Sequence, residues 1–268
     1  MSSSTVRAYD RVAAAWLAGA EPAYRRFAEA LVAASPEPLR GQRVLDIGAG
    51  TGAASRSLLA AGAVPCAVDE SDAMLRTARE VLPGVPAVAG DGLALPFADA
   101  RWDAAVSAFC INHLTEPARL LAEAGRVVHP GGVVLASTFA EGEDHPVKDA
   151  VEAVLLEAGW EPSPWHQQFR CCTSGLTSSP ARLEAVAWDS GLDDVRVVSV
   201  LVDSGLRTPV ELVGWRLGMA EPASFLAGLA PERREAITAA AVRALGTDPE
   251  PLRRPVLILT ARSPARLR

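Results

Sequence analysis

The sequence predicts an α/β fold built on a doubly wound, mostly parallel sheet of seven strands, with N-terminal helices and a helical cap inserted late in the chain. Apolar runs alternate with helical stretches about every 20–25 residues between residues 43 and 139. This rhythm is typical of parallel sheets that are covered on both faces. A glycine-rich turn follows the first apolar run, and two later runs are separated by helical sequence.

The N-terminal and alternating regions supply most of the elements. Residues 1–40 have apolar residues at helical spacing and are predicted to be helical up to a pair of prolines. Five strands are predicted at 43–47, 64–70, 85–91, 102–109 and 133–139, the last after a turn at Pro130-Gly131-Gly132. Helices are predicted at 53–62, 71–82 and 116–128. Gly62 is expected to stop the first of these, Ser71 to cap the second and Pro117 to open the third.

The pattern loosens after residue 140. The remaining predicted elements are a helix at 146–159, an irregular segment at 160–180, a helix at 181–190, a strand at 195–202, helices at 208–246 and a strand at 255–262. We expect the two late strands to pair antiparallel at the sheet edge. Because the chain has no internal repeat or low-complexity linker, we predict one domain, 1–268. Its parts are a helical lid at 1–40, a cofactor-binding core at 41–140, and cap insertions facing the substrate at 141–190 and 208–246.

Composition and charge argue against several classes of protein. With 268 residues, 49% of them hydrophobic and 22% charged, the chain can bury a sizeable core. A net charge of −6 argues against a nucleic-acid partner, because such proteins neutralise phosphates. No apolar run approaches the roughly 18 residues of a membrane span, and the N-terminus lacks a signal-peptide pattern. We therefore expect a cytoplasmic monomer or homodimer without a membrane partner.

The cysteines do not point to a metal site. The chain has four, Cys66, Cys110, Cys171 and Cys172, and they do not form two CxxC pairs. A structural zinc site or a disulfide framework is therefore not expected in a chain of this length. We expect reduced thiols and no metal.

The strongest motif is VLDIGAGTG at residues 44–52. Gly48, Gly50 and Gly52 follow a predicted strand and open a helix, where glycine lets the backbone turn sharply and approach a ligand. As GxGxxA, the stretch also fits a dinucleotide-binding turn, so the glycines alone are ambiguous. Asp46 favours another ligand, because its carboxylate would repel a pyrophosphate but attract an amino or sulfonium group.

Further acidic residues follow the next two predicted strands. Asp69 and Glu70 end the second strand, and Asp69 lies 21 residues after Gly48, a spacing that suits a carboxylate accepting both hydroxyls of a ribose. Gly90-Asp91-Gly92 follows the third strand, where a carboxylate can accept from an adenine amino group. Capping or turn formation is the alternative role for each carboxylate. Because the carboxyl ends of parallel strands meet at one edge, these groups should converge on one crevice.

A family resemblance runs through five motifs. In order and spacing, the chain resembles class I S-adenosylmethionine-dependent methyltransferases, and most closely their small-molecule, quinone-biosynthesis-like branch, at VLDIGAGTG, AVDES, GDGLALPF, WDAAVSAFCINHL and RVVHPGGVVLAS. The resemblance covers about residues 40–140. It implies a Rossmann-like fold, S-adenosyl-L-methionine as cofactor and a small-molecule acceptor.

The resemblance also implies individual roles in the cofactor site. The residues it assigns there are Tyr9, Asp46, Gly48, Ala49, Gly50, Asp69, Glu70, Met74, Asp91, Gly92, Ala108 and Phe109. Asp46 would face the amino end of the methionine, Asp69 would hold the ribose and Asp91 would meet the adenine. Tyr9 resembles lid tyrosines that close over the cofactor in this branch. Ordinary packing is the alternative for Tyr9 and Met74.

Two histidines are candidate catalytic residues. Methyl transfer from a sulfonium mainly requires positioning of the reactants, and a base is needed only if the acceptor must lose a proton. His113 follows the fourth strand and would act as a base or an acceptor-orienting group, whereas His166 would face the substrate. A structural role is the alternative for both. His129 is expected at the surface, and His145 as a helix cap or surface group.

The variable regions suggest the character of the acceptor. Four aromatic residues there favour an apolar or aromatic pocket, with core packing as an equally good explanation: Trp160, Trp165, Phe169 and Trp215. Three arginines could meet an acidic acceptor, namely Arg170, Arg207 and Arg216.

The sequence thus predicts a methyltransferase that acts on O, N or C of a small molecule, in bacterial secondary metabolism. One alternative is an enzyme of this fold that keeps the cofactor but catalyses a non-methylating step such as a cyclisation. Another is a binding protein or a nicotinamide enzyme. The stretch AFCINHL lacks an NPPY-like tetrapeptide, which argues against methylation of nucleic-acid amino groups. The acidic ligands of the metal-dependent catechol branch are not recognisable, so no magnesium is expected.

Overall fold

The sheet has seven strands in the order β3-β2-β1-β4-β5-β7-β6. The computed structural model describes residues 3–141 and 145–265. The strands are β1 Arg43–Ile47, β2 Val64–Asp69, β3 Ala87–Ala89, β4 Trp102–Ala108, β5 Val128–Phe139, β6 Asp193–Asp203 and β7 Arg253–Arg262. Strands β1 to β5 are parallel, whereas β7 runs antiparallel to β5 and β6. The doubly wound sheet and its antiparallel edge pair are therefore confirmed.

Helices precede the sheet, connect its strands and join β6 to β7. They are α1 Ser3–Asp10, α2 Ala13–Ala15, α3 Glu21–Ala33, α4 Ala53–Ala60, α5 Asp72–Val81, α6 Pro117–Val127, α7 Pro146–Glu157, α8 Pro164–Gln168, α9 Pro180–Asp189, α10 Pro209–Gly218, α11 Ala220–Ala227 and α12 Pro231–Ala244. Single π-helical turns cover Trp16–Ala20 and Phe169–Thr173, and 3-10 turns cover Ile111–His113 and Ser174–Thr177. Within the described ranges, no helix combines the length and apolar character needed to cross a bilayer.

Local chemistry explains several helix ends. The Ser71 hydroxyl accepts from the backbone N–H of Met74 at 3.2 Å and caps α5, as predicted. Gly62 follows α4 with a φ of +79°, a conformation that glycine adopts without steric cost. His145 caps α7 through Nδ1, which accepts from the N–H of Val147, but it is buried and so is not a surface residue.

The two faces of the sheet follow the period-two alternation of strand side chains. Val44 and Val106 belong to the hydrophobic cluster under α3, α4, α7 and α10. Their neighbours Leu45 and Ala105 belong to the opposite cluster under α6 and α9. Burial on both faces explains why the central strands read as continuous apolar runs.

Two sequence predictions about local structure were wrong. Pro130-Gly131-Gly132 does not precede β5 but lies inside it, because the chain pairs with β4 at Trp102↔Val128, bulges, and resumes at Ala104↔Val133. Residues 160–180 are largely helical rather than irregular. The hydroxyl of Ser163 caps α8, and Pro164 occupies the first turn, where its missing N–H costs nothing.

Candidate active site

A cavity of about 280 Å³ lies at the carboxyl ends of β1, β2 and β4. Most of the predicted site residues line it. One group comes from the first two strands and the elements after them, namely Asp46, Gly48, Ala49, Gly50, Asp69 and Met74. A second group comes from α1, from the end of β4 and the residues after it, and from α8, namely Tyr9, Ala108, Phe109, His113 and His166. The convergence expected at this sheet edge is therefore present for Asp46 and Asp69, but not for Asp91, which does not line the cavity.

The glycine-rich turn after β1 is fastened to β2. The backbone N–H groups of Gly48 and Ala49 both donate to the carbonyl of Val68, at 2.8 and 3.1 Å. Gly48 and Gly50 have φ values of +71° and +55°, a region in which only glycine is free of strain. A Cβ on Gly48 would lie 2.4 Å from Sγ of Cys110, so there is no room for a side chain at Gly48.

Asp46 presents an unsatisfied carboxylate to the cavity. Its side chain is fully buried, and Oδ2 accepts from the Ser55 hydroxyl at 2.7 Å. Oδ1 is also buried and has no hydrogen-bond partner among the described residues. Burial raises the pKa of Asp46 to about 6. A buried lone oxygen of this kind is costly unless a donor meets it, so the site fits a ligand that carries an ammonium group.

This geometry predicts a pH-dependent affinity for a ligand with a cationic amino group. As the pH falls through about 6, Asp46 takes up a proton and loses the charge that attracts the ammonium. Calorimetric titration with S-adenosylhomocysteine should therefore show affinity falling between pH 7.5 and pH 5. Asp46→Asn should bind weakly throughout and remove this dependence. A wild-type affinity that stays constant over the range would contradict the placement of the ammonium beside Asp46.

Asp69 organises the backbone around the cavity. Its Oδ2 accepts from the N–H of Gly50 and its Oδ1 from the N–H of Ser71, each at 2.8 Å. Burial raises its pKa, and these two hydrogen bonds act in the opposite direction. Each carboxylate oxygen retains a further lone pair, so the group can still accept from the hydroxyls of a ribose.

Removal of this carboxylate should weaken cofactor binding. We expect Asp69→Ala to reduce the affinity for S-adenosylhomocysteine by roughly 1–3 kcal/mol, the cost of lost charge-assisted hydrogen bonds. Calorimetry measures the change directly. Asp69→Asn is the matched variant, because it keeps the shape and one acceptor oxygen but loses the charge. Its affinity for S-adenosylhomocysteine should therefore lie between that of the wild type and that of Asp69→Ala. Wild-type affinity in Asp69→Ala would remove this residue from the ribose site.

Three predicted cofactor residues do not line the cavity: Glu70, Asp91 and Gly92. Oδ1 of Asp91 accepts from the N–H of Leu93 at 2.9 Å within its own turn. Gly92 packs closely against Ile47 and Leu120, since an added Cβ would lie 3.2–3.3 Å from them. The contact of Asp91 and Gly92 with adenine, and the place of Glu70 beside the adenosine, stay predictions.

Tyr9 and the two candidate catalytic histidines meet in one aromatic cluster. The Tyr9 hydroxyl and His113 Nε2 are 3.3 Å apart, and the His113 ring stacks on Phe169 with centroids 4.6 Å apart. His166 stacks on the same ring at 6.2 Å. Burial and the nearby His166 lower the pKa of His113 to about 4, so its imidazole is neutral at physiological pH. His129, by contrast, lies exposed beside Asp103, as expected.

The rest of the cavity has aromatic walls. Trp165, Phe169 and Trp215 line it as predicted, whereas Trp160 is buried in the core instead. The sequence reasoning missed three further aromatic residues that line it, namely Trp16, Tyr24 and Phe139. Tyr24 has ring-centroid distances of 4.8 Å to Trp16, 5.3 Å to Phe109 and 5.9 Å to Phe139. One sequence feature could have identified Phe139 as a cavity residue: it ends a predicted strand, at the same sheet edge as Asp46. We call Trp16, Tyr24, Phe109 and Phe139 the aromatic chamber.

Comparison with known proteins agrees with this arrangement. A family profile described as a methyltransferase domain matches residues 45–136. A demethylmenaquinone methyltransferase of Renibacterium salmoninarum is 37% identical over 135 residues, which cover 50% of this chain and 55% of that protein. The enzyme of the same name from Parafrankia sp. is 34% identical over 178 residues, covering 59% of this chain and 68% of the relative. The chain thus spans about half the length of the first relative and two thirds of the second.

A solved structure shares the fold. The phosphoethanolamine N-methyltransferase 2 of Haemonchus contortus, in complex with S-adenosylhomocysteine, superposes with a TM-score of 0.56 at 21% identity. The match covers 89% of this chain and 52% of that chain. The sequence match to the bacterial relatives, the common fold and the acidic glycine-turn site lead to one conclusion. The chain belongs to the class I S-adenosylmethionine-dependent methyltransferase family.

Proposed function

We propose that the protein transfers the methyl group of S-adenosylmethionine to a nucleophilic atom of a small aromatic acceptor. One observation carries the proposal: a single cavity joins the unsatisfied Asp46 carboxylate and the glycine turn to the aromatic chamber. The first part suits the amino-acid end of the cofactor, and the second suits a flat apolar molecule. The curated relatives named above are methyltransferases for demethylmenaquinone, and an aromatic acceptor agrees with that likeness.

The residues around the cofactor supply binding and position. When bound, S-adenosylmethionine supplies a methyl group already activated on a sulfonium. Asp46 would bind the ammonium, Asp69 would accept from the ribose hydroxyls, and Gly48 and Gly50 would let the backbone approach the methionine. Such fixed groups lower the barrier chiefly by holding two reactants in line.

His113 would act on the acceptor. Its Nε2 is engaged with Tyr9, and Nδ1 has no hydrogen-bond partner in the described part of the chain. In the tautomer whose Nε2–H donates to the Tyr9 hydroxyl oxygen, the neutral imidazole has its lone pair on Nδ1. That lone pair can receive the proton of an acceptor hydroxyl, or orient the hydroxyl by accepting a hydrogen bond from it. Burial raises the pKa of Tyr9 well above its ordinary value, so its phenol stays protonated and holds the ring in place. His166 would face the acceptor from the other side of Phe169.

The same arrangement favours a lid and a cap over the cavity. Tyr9 and Trp16 come from the N-terminal helices, whereas Trp165 and Phe169 come from the segment after β5. We assign residues 1–40 to a lid, and 141–190 and 208–246 to a cap, of one domain spanning 1–268. Together they would exclude water from the methyl group. A role in bacterial secondary metabolism, for a cytoplasmic monomer or homodimer, completes the proposal.

Calorimetry with S-adenosylmethionine, S-adenosylhomocysteine and NADH tests the cofactor assignment. We expect micromolar binding of both sulfur ligands and none of NADH. Phenolic and quinol acceptors are then screened, and the release of S-adenosylhomocysteine from each reaction is measured by mass spectrometry. S-adenosylmethionine that binds but is never consumed, while an added polyene or quinone is converted, would replace methyl transfer by a non-methylating step. Preferential binding of NADH would contradict the proposal as a whole.

A further inference from the structure

We propose that the acceptor is an aromatic acid and that Arg216 binds its carboxylate at the end of the aromatic chamber. This inference rests on the proposed function and specifies its substrate class. It begins from a charged group that the cofactor site does not use. Arg216 lies on α10, lines the cavity and is only 5% exposed.

The guanidinium of Arg216 is incompletely satisfied. Its Nη2 donates to Oε1 of Glu152 on α7 at 2.5 Å. Its Nε is buried and has no acceptor among the described residues. A buried guanidinium has five N–H donors, and donors left without acceptors in a dry site are costly. A planar carboxylate in the cavity would satisfy such donors with matching geometry.

Two further cationic side chains line the same cavity, namely Arg254 and Lys148. The Arg254 guanidinium lies 5.0 Å above the centre of the Phe139 ring. Arg254 and Arg216 both act to lower the pKa of Tyr24, which burial raises to about 12, so both lie near its hydroxyl. Lys148 on α7 lines the cavity as well. The aromatic ring of an acceptor would thus rest in the chamber while its anionic group points to Arg216.

The carboxylates are distributed differently. Among the described residues that line the cavity, the acidic ones are Asp46, Asp69 and Glu221. The first two belong to the cofactor end. Glu221 accepts from the hydroxyl and the N–H of Ser163, beside Trp165 and His166. Glu152 pairs with Nη2 of Arg216 and leaves Nε of that arginine without an acceptor among the described residues. None of the three lining carboxylates is bonded to Arg216, whose Nε is therefore the donor that this part of the cavity offers to an anion.

The other arginines considered from the sequence do not take this role. Arg207 is exposed and pairs with Asp203 at 2.7 Å, away from the cavity lining. The side chain of Arg170 lies outside the described part of the structure. Arg216 is therefore the residue whose burial and position carry the inference. A purely structural pair between α7 and α10 is the competing explanation.

Matched pairs of ligands separate the two explanations. Protein saturated with S-adenosylhomocysteine is titrated with 3-hydroxybenzoate and 1-hydroxy-2-naphthoate, and with the corresponding amides. We expect at least one acid to bind about tenfold or more tightly than its amide, as one charge-assisted hydrogen bond would give. Arg216→Gln should abolish that preference. The control Arg243→Gln, an exposed arginine on α12, should retain it.

A second variant guards against loss of folding. Should Arg216→Gln fail to fold, Glu152→Gln removes the competing carboxylate and should increase the preference for the acid. An unchanged preference there, equal binding of acid and amide, or no binding of either, would overturn the inference. The amide could also bind more tightly as the pH rises and its phenol group ionises. That result would place the phenolate oxygen, rather than a carboxylate, at Arg216, and it would also overturn the inference. S-adenosylhomocysteine binding is measured on every variant, because its absence from the wild type would contradict the proposed function itself.

Discussion

A Gly48→Ala variant is expected to lose measurable binding of S-adenosylhomocysteine and to unfold at a clearly lower temperature than the wild type. The added Cβ would lie 2.4 Å from Sγ and 2.5 Å from Cβ of Cys110, closer than such atoms approach. The φ of +71° adds the strain of a left-handed conformation, about 1–2 kcal/mol for a residue with a Cβ. Overpacking in a close-packed site costs about 1–3 kcal/mol more. Relief of either requires the turn to move, which displaces the N–H groups of Gly48 and Ala49 from Val68.

Gly50→Ala is the matched control. Its φ of +55° imposes the same kind of strain, but nothing lies within 4 Å of an added Cβ. We therefore expect a smaller loss of thermal stability in the cofactor-free protein, measured by differential scanning calorimetry. A Gly48→Ala/Cys110→Gly double variant should recover the part of the loss that comes from the contact with Cys110. Equal destabilisation by Gly48→Ala and Gly50→Ala would show that strain alone acts at this turn.

The sequence was sufficient to predict the cofactor side of the site, because the residues of that side lie close together along the chain or at the ends of neighbouring strands. Asp46 and Gly48 lie two residues apart on one strand and its turn, and Asp69 ends the neighbouring strand. The rule that parallel strands end at one edge brings them together without further information. Cys110 is different, because its contact with Gly48 joins positions far apart in the chain. Only the paired sheet places the residues after β4 beside the glycine turn.

The acceptor side could not be predicted to the same extent. Tyr24 lies on α3 and Phe139 at the end of β5, and in sequence each is one more apolar residue in an element with a buried face. The same pattern describes a core residue, such as Phe27. Trp160 shows the same ambiguity from the other side: its place in a variable region allowed a pocket or a core position, and the structure buries it in the core. Burial against the sheet, rather than composition, decides which aromatic residues face the ligand.

The second large effect is expected at His113. We expect His113→Ala to lower kcat by about 10²–10⁴-fold if the imidazole receives the acceptor proton, measured with an acceptor that yields S-adenosylhomocysteine in the screen. Affinity for S-adenosylhomocysteine should change little, because His113 lies on the acceptor side of the cavity beside Phe169 and Tyr9. A wild-type kcat in His113→Ala would remove the residue from the reaction.

Two comparisons distinguish proton transfer from orientation and packing. His113→Gln keeps a hydrogen-bonding group near Tyr9 but cannot receive a proton at neutral pH, so it restores kcat only if His113 acts by orienting the acceptor. The pH profile gives an independent test. Because the pKa of His113 is about 4, its protonation removes the free lone pair only as the pH falls towards that value. At saturating cofactor, His113 should therefore impose no fall in kcat between pH 8 and pH 6. The weakening of cofactor binding near pH 6 belongs to Asp46, and only Asp46→Asn should remove it.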